Sequence, residues 1–278
     1  MEDNFVSQMG GVPLIDNGVN YVGIATLACA VRRRLGQELN ANLREFLEPV
    51  RAYTCYQTAY PKLGHERLSE QLTAEQVSAV EVACSEILMV MPEWRTAFAI
   101  PLRWRLVREN IASSTNPRVP QTIFFGAKAF TNMLKLQEQI VHELSHTWLG
   151  MIGEVSPLSY PSQANYVLPS GTKNKEYWNL IFALSFAITA IRFYEARHRA
   201  GRFGNDDYIR IQYLKNYSRG CIAQANSEPE KLRAPGRAIL KTCQRFIYTE
   251  GFSMDGTSNH KYRDSWCIDG PCPRSEGI

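Results

Sequence analysis

The chain has 278 residues, of which 45% are hydrophobic and 21% charged, and a formal net charge of +4. This composition excludes a disordered or low-complexity chain and leaves enough apolar mass for a sizeable core, in one large domain or two small ones. The small charge excess gives no nucleic-acid-binding signature, because the one compact basic run, Arg32-Arg33-Arg34, follows an apolar stretch and reads as a solvated helix end.

The opening Met1-Glu2-Asp3-Asn4 is acidic, and residues 2–17 hold no sustained apolar run, so no secretory signal is expected. Periodic apolar positions predict helices over 20–35 and 42–60. Thr73 and Gln76 form a capping box in front of a helix over 75–90, which Pro92 ends. Residues 101–107 read as a first strand, and 116–120, with two prolines, as a turn. The run Gln121–Gly126 reads as a second strand. A long helix follows, capped by Thr131 or Asn132 and ended by Gly150 or Gly153. A proline-containing loop over 155–175 leads to an apolar helix over 176–199, whose core at 180–191 is too short to span a bilayer. Helices near 206–217 and 228–248 complete the chain before a polar tail. The expected class is α+β, predominantly helical. Three regions are expected: a helical part at 1–112 suited to substrate or leader recognition, a metal-site part at 113–248, and a mobile tail at 249–278.

Seven cysteines are scattered in odd number, which argues against a disulfide framework and for small core residues. Cys267 and Cys272 differ, because they flank an Asp-Gly turn in the tail, where a plain polar end, a disulfide and a second metal site are all open. The expected location is the cytoplasm, with no membrane or nucleic-acid partner.

The most informative residues are His142-Glu143-Leu144-Ser145-His146, an H-E-x-x-H motif. On a helix, positions i and i+4 share a face, so two imidazoles can hold one divalent ion with the glutamate beside its open positions. A strand just ahead of such a helix is how zincin-type enzymes offer an edge strand to an extended peptide. The expected architecture is therefore a zincin-like strand and motif helix within a larger helical domain.

Two histidines do not complete a metal site, since zinc enzymes offer three protein ligands and non-haem iron oxygenases two histidines and a carboxylate. The metzincin continuation is absent, because no histidine follows until His198. Glu154 ranks first as third ligand if the glycines bend the chain back. A straight helix would instead leave it about 12 Å along the axis from His146. Glu176 ranks next, and Glu195 is a further rival. Gly171-Thr172-x-Asn174-x-x-Tyr177 is similar to the aspzincin pattern, but Asn174 stands where the ligand aspartate belongs.

A longer pattern runs from Ser113-Ser114 through the strand, Gln139-Ile140-Val141-His142-Glu143-x-x-His146-x-x-Leu149, Glu154 and Pro157-Leu158 to Arg192-Phe193-Tyr194. It resembles the α-ketoglutarate-dependent HExxH-type peptide β-hydroxylase family over residues 113–199, with Phe182 where a family histidine stands. The resemblance implies Fe(II), α-ketoglutarate and molecular oxygen, with His142, His146 and Glu154 as iron ligands and a peptide or amino-acid-derived substrate. A basic residue must then bind the distal carboxylate of α-ketoglutarate, with Arg192 the first candidate and Arg103 and Arg105 the others. The alternative is a zinc metallopeptidase in which Glu143 is the general base. A third reading is a peptide-binding protein with a vestigial site.

Overall fold

A computed structural model of the chain describes residues 5–61 and 67–250. Helices α1 (Phe5–Gln8), α2 (Tyr21–Leu35), α3 (Pro49–Ala59), α4 (Ala74–Val90) and α5 (Arg95–Phe98) lead into three short strands, β1 (Arg103–Leu106), β2 (Ser113–Asn116) and β3 (Val119–Phe125). Helices α6 (Met133–Val155), α7 (Trp178–Arg199), α8 (Asn205–Ser227) and α9 (Ala234–Arg245) follow, and a π turn spans Phe246–Glu250. The class is α+β with helix dominant.

Local signals set several boundaries. Asn20 caps α2 by accepting from the Gly23 N–H at 2.8 Å, Thr73 and Gln76 close the expected capping box, and Asn132 caps α6 by accepting from Lys135. The expected helix over 42–60 is two pieces, a 3-10 turn at Leu43–Leu47 and α3, because Pro49 starts a new helix at its first position. The expected end of α6 at its glycines does not occur. The helix runs through Gly150 and Gly153 to Val155, because Trp148, Leu149, Met151 and Ile152 are all essentially fully buried and hold its last turns against the core.

The sheet has the order β1-β3-β2, with β1 parallel and β2 antiparallel to β3. All seven residues of β3 are buried, as befits a central strand covered on both faces. β2 is the polar run Ser-Ser-Thr-Asn, which carries no strand signal of its own. Pairing to β3 recruits it, with Ser113 opposite Phe125 and Thr115 opposite Ile123. The register slips after Thr115, and Gln121 in β3 takes a left-handed φ of 53°. That conformation costs a non-glycine residue energy and is held by its side chain, whose amide donates to the carbonyls of Leu47 and Pro101 at 2.8 and 2.7 Å.

α6 lies under this sheet and is wrapped on its other sides by α2, α4 and α7. It buries polar residues as well as apolar ones, so each needs a partner. Glu138 takes two bonds from Arg210, at 2.8 and 2.6 Å, and one from the Tyr194 hydroxyl at 2.6 Å. The Trp148 indole donates to the Ala97 carbonyl and meets the Tyr21 ring edge-on. α7 is the one described helix long and apolar enough to cross a membrane, and 89% of its apolar window is buried inside the protein.

One continuous core runs from Val6 to Phe246 and takes in residues of every helix from α4 to α9. β1, from the N-terminal part, shares a sheet with β2 and β3, so residue 112 does not divide two separately packed units. Cys29, Cys55, Cys221 and Cys243 are buried free thiols and Cys84 a half-buried one. Cys267 and Cys272, with the tail beyond residue 250, lie outside the described residues.

Candidate metal centre

His142, Glu143 and His146 occupy the middle of α6, where β2 crosses it on one side and α7 packs on the other. Helical spacing brings the imidazoles together, with ring centres 4.4 Å apart and planes at 88°. α7 presents two phenylalanines to them. Phe186 stacks on His142 at 3.7 Å, nearly parallel, and Phe182 lies 5.3 Å from His146. The two helices are also joined by the Ser145 and Ser185 hydroxyls at 3.3 Å.

β2 supplies the polar wall. Residues i and i+2 of a strand share a face, and Ser113 and Thr115 both face Glu143. The Ser113 hydroxyl donates to Glu143 Oε1 at 2.6 Å and lies 2.8 Å from Gln139 Oε1. Glu143 Oε2 has no hydrogen-bond partner, nor have His142 Nδ1, His146 Nε2 and Gln139 Nε2. Four buried polar atoms without a hydrogen bond thus fall within two turns of one helix, whereas the other such atoms among the described residues are scattered over several elements. Unsatisfied groups of this kind mark a place for an ion, a water or a substrate.

Electrostatics follow from burial. Loss of water drives the His142 pKa well below its ordinary 6.5, with the His146 imidazole adding to the effect. The same loss lowers His146 to about 3. Both rings are therefore neutral at pH 7, the form that binds a metal. Burial pushes Glu143 up to about 7, against the opposing hydrogen bonds from Ser113 and Thr115. A carboxyl poised near neutrality suits proton transfer.

Glu154 is not brought to the histidines. The helix carries it straight on for eight residues, about 12 Å along the axis. Its carboxylate is instead gripped by Arg32, whose Nε and Nη2 reach the two oxygens at 2.7 and 2.8 Å. Arg32 is fully buried rather than a solvated helix end, and its remaining nitrogen donates to the Phe46 carbonyl and to Gln121 Oε1. Glu176 accepts from the Trp178 indole at 3.0 Å, and Trp178 packs on Phe182. Glu195 lies nine residues beyond Phe186, about 13 Å along α7. Among the described residues, no group of three His, Cys, Asp or Glu side chains is arranged to hold a metal ion.

Arg192 is likewise outside the site. It points to the loop after α1, donating to the carbonyls of Leu14 and Ile15 and to Asn17, and it pairs with Glu93 at 3.7 Å. Arg105 is engaged with Ser69. The recess beside His146 has a volume of about 20 Å³, room for one water. The two neutral imidazoles fit a divalent ion. The recess beside His146 is smaller than α-ketoglutarate, a five-carbon diacid.

Ser113, Thr115, Gln139, Phe182, Phe186 and Arg32 are the site residues that sequence reading did not assign. Ser113 and Gln139 belong to the longer pattern quoted above, and Phe182 stands at the position of a family histidine, but residue type alone gave none of them a role in the site. No protein-family model matches the chain, and no curated protein matches it significantly.

Proposed function

We propose that the protein is a metal-dependent hydrolase of zincin type, in which His142 and His146 hold one divalent ion, zinc by preference, and Glu143 is the general base. The observation that carries this reading is the state of Glu143. One oxygen is fixed by Ser113 of β2, the other makes no hydrogen bond and lies 3.7 Å from His146 Nδ1, and burial raises the carboxyl's pKa to about 7. A bound zinc ion supplies Lewis-acid polarisation of a carbonyl and a water of lowered pKa. Glu143 Oε2 takes the proton of the attacking water, and the same carboxyl then delivers it to the leaving amine. Phe182 and Phe186 keep bulk water from one side of the imidazoles, which strengthens every charge interaction in the site.

The substrate proposed is a peptide in extended form. β2 pairs with β3 along one edge, its other edge pairs with no strand among the described residues, and the Thr115 backbone also bonds to Glu143. An added strand there runs directly over Glu143, with main-chain pairing as the source of affinity. The five described free thiols suit a reducing compartment, and we propose the cytoplasm as location.

The second reading is an iron oxygenase, favoured by the dry aromatic wall of Phe182 and Phe186 and weakened by the engagement of Arg192 elsewhere. Glu143→Gln separates the two. Under the hydrolase reading the variant keeps its metal, and peptide cleavage falls at least about 100-fold. Under the oxygenase reading, iron-dependent oxygen consumption survives the substitution. Metal content by elemental analysis accompanies both assays, and a wild-type protein that retains no zinc or iron after loading overturns both readings.

A further inference from the structure

The recess beside His146 is not explained by metal binding. It lies between the face of α6 that carries His146, Gly150 and Glu154 and the β2–β3 turn around Thr115 and Pro120, and Arg32 forms its floor. Glycine inside a helix is unfavourable, and it leaves open the space that a side chain would fill. Close packing is not the reason at Gly150, because a Cβ built there meets nothing within 4 Å. The space itself is what Gly150 provides, one helical turn beyond a proposed metal ligand. Gly153 is equally uncrowded but does not line the recess, so it serves as a control.

The chemistry of the walls restricts what enters. Arg32 has its guanidinium spread over Glu154, Gln121 and Phe46, and both oxygens of Glu154 are taken. The floor is a satisfied, neutral ion pair that offers no unpaired charge to a ligand. Val119 and Pro120 add apolar surface. A volume of about 20 Å³ holds one water or one methyl-sized group.

We propose that this recess is the specificity pocket of the site, that it accepts only a residue as small and uncharged as Gly, Ala or Ser beside the reacting carbonyl, and that Gly150 is its determinant. The inference rests on the hydrolase reading above and narrows its substrates to peptides with a small residue at that position. The fit works by size, since each extra methylene that a pocket does not accommodate is rejected by about tenfold or more.

The test is binding rather than turnover. The full chain is loaded with zinc, its zinc content is measured, and glycine, alanine, leucine and phenylalanine hydroxamates are titrated calorimetrically. The hydroxamate group chelates the zinc and places the side chain beside it. The expected result is alanine hydroxamate binding about tenfold or more tighter than the leucine and phenylalanine compounds. Gly150→Val weakens alanine hydroxamate about tenfold with zinc content unchanged, Gly150→Ala weakens it less, and Gly153→Ala leaves it unaltered. Zinc-loaded protein that binds the large hydroxamates as well as alanine hydroxamate, or a Gly150→Val protein with unchanged affinities, overturns the pocket and leaves the metal site standing. Failure to retain zinc, or zinc-loaded protein that binds no hydroxamate, overturns both.

Discussion

Glu143 and the two histidines around it respond to burial in opposite directions, and this shapes how the metal-free protein tolerates acid. Each histidine has a folded pKa below its ordinary 6.5, so the unfolded chain binds protons that the folded one refuses. Their effect is absent above about pH 6.5 and destabilises the fold as pH falls from there toward 3. Glu143 has a folded pKa raised from 4.5 to about 7, so its contribution is fully present below 4.5 and is lost as pH rises through 7. Between about 4.5 and 6.5 the glutamate offsets part of the histidine penalty. Metal-free Glu143→Gln should therefore lose stability on acidification more steeply than wild type, by up to about 1.4 kcal/mol per pH unit. Urea unfolding at a series of pH values measures the two slopes, and equal slopes would contradict the burial of this carboxyl. Loaded metal should abolish the histidine penalty near neutrality, because it occupies the nitrogens that protons would take.

At the scale of elements, α6 carries two costs that its burial outweighs. Gly150 and Gly153 sit in its interior with no atom within 4 Å of an added Cβ. Alanine at either position should raise stability by about 0.5–1 kcal/mol, seen as a higher urea midpoint. At Gly150 the same change fills the recess, so a more stable protein should bind small ligands less well, a trade common at functional sites. The Arg32–Glu154 pair is the second cost, since both charges are withdrawn from water. Arg32→Ala leaves Glu154 without its partner and Gln121 without a donor, and should destabilise by about 3–5 kcal/mol. The apolar double change Arg32→Met with Glu154→Leu should cost much less, and a double-mutant cycle on unfolding free energies reads the difference.

For the whole molecule, the shared sheet and the main core bind the N-terminal helices to the motif helix. β1 cannot pair without β3, and α2 and α4 both pack on α6. Unfolding should accordingly be one transition, with coincident midpoints by far-ultraviolet circular dichroism and tryptophan fluorescence. Trp94, Trp104, Trp148 and Trp178 report from α5's approach, β1, α6 and α7 respectively. Two separated transitions would restore a boundary near residue 112. The apolar character of α7 has its explanation at this scale too: it is surrounded by α6, α8 and α9, and its phenylalanines form the wall behind the histidines.

Some of this was decided by the sequence alone. The H-E-x-x-H spacing needs only helical geometry to set two imidazoles side by side, and Asn20, Thr73 and Asn132 mark helix starts because a cap is a bond between near neighbours in the chain. The helical predominance follows in the same way from apolar periodicity. Contacts between residues far apart in the chain were decided only by the tertiary structure. Arg32 reads as a surface charge until Glu154, 122 residues later, takes it into the core. Gly150 and Gly153 read as helix ends until buried neighbours on both sides carry the helix past them. The polar residues Ser113–Asn116 become a strand only because β3 pairs with them, and it is that strand which holds Glu143. Local propensities are worth tenths of a kcal/mol per residue, whereas burial and buried pairing are worth several, so where the two disagree the packed neighbours determine the outcome.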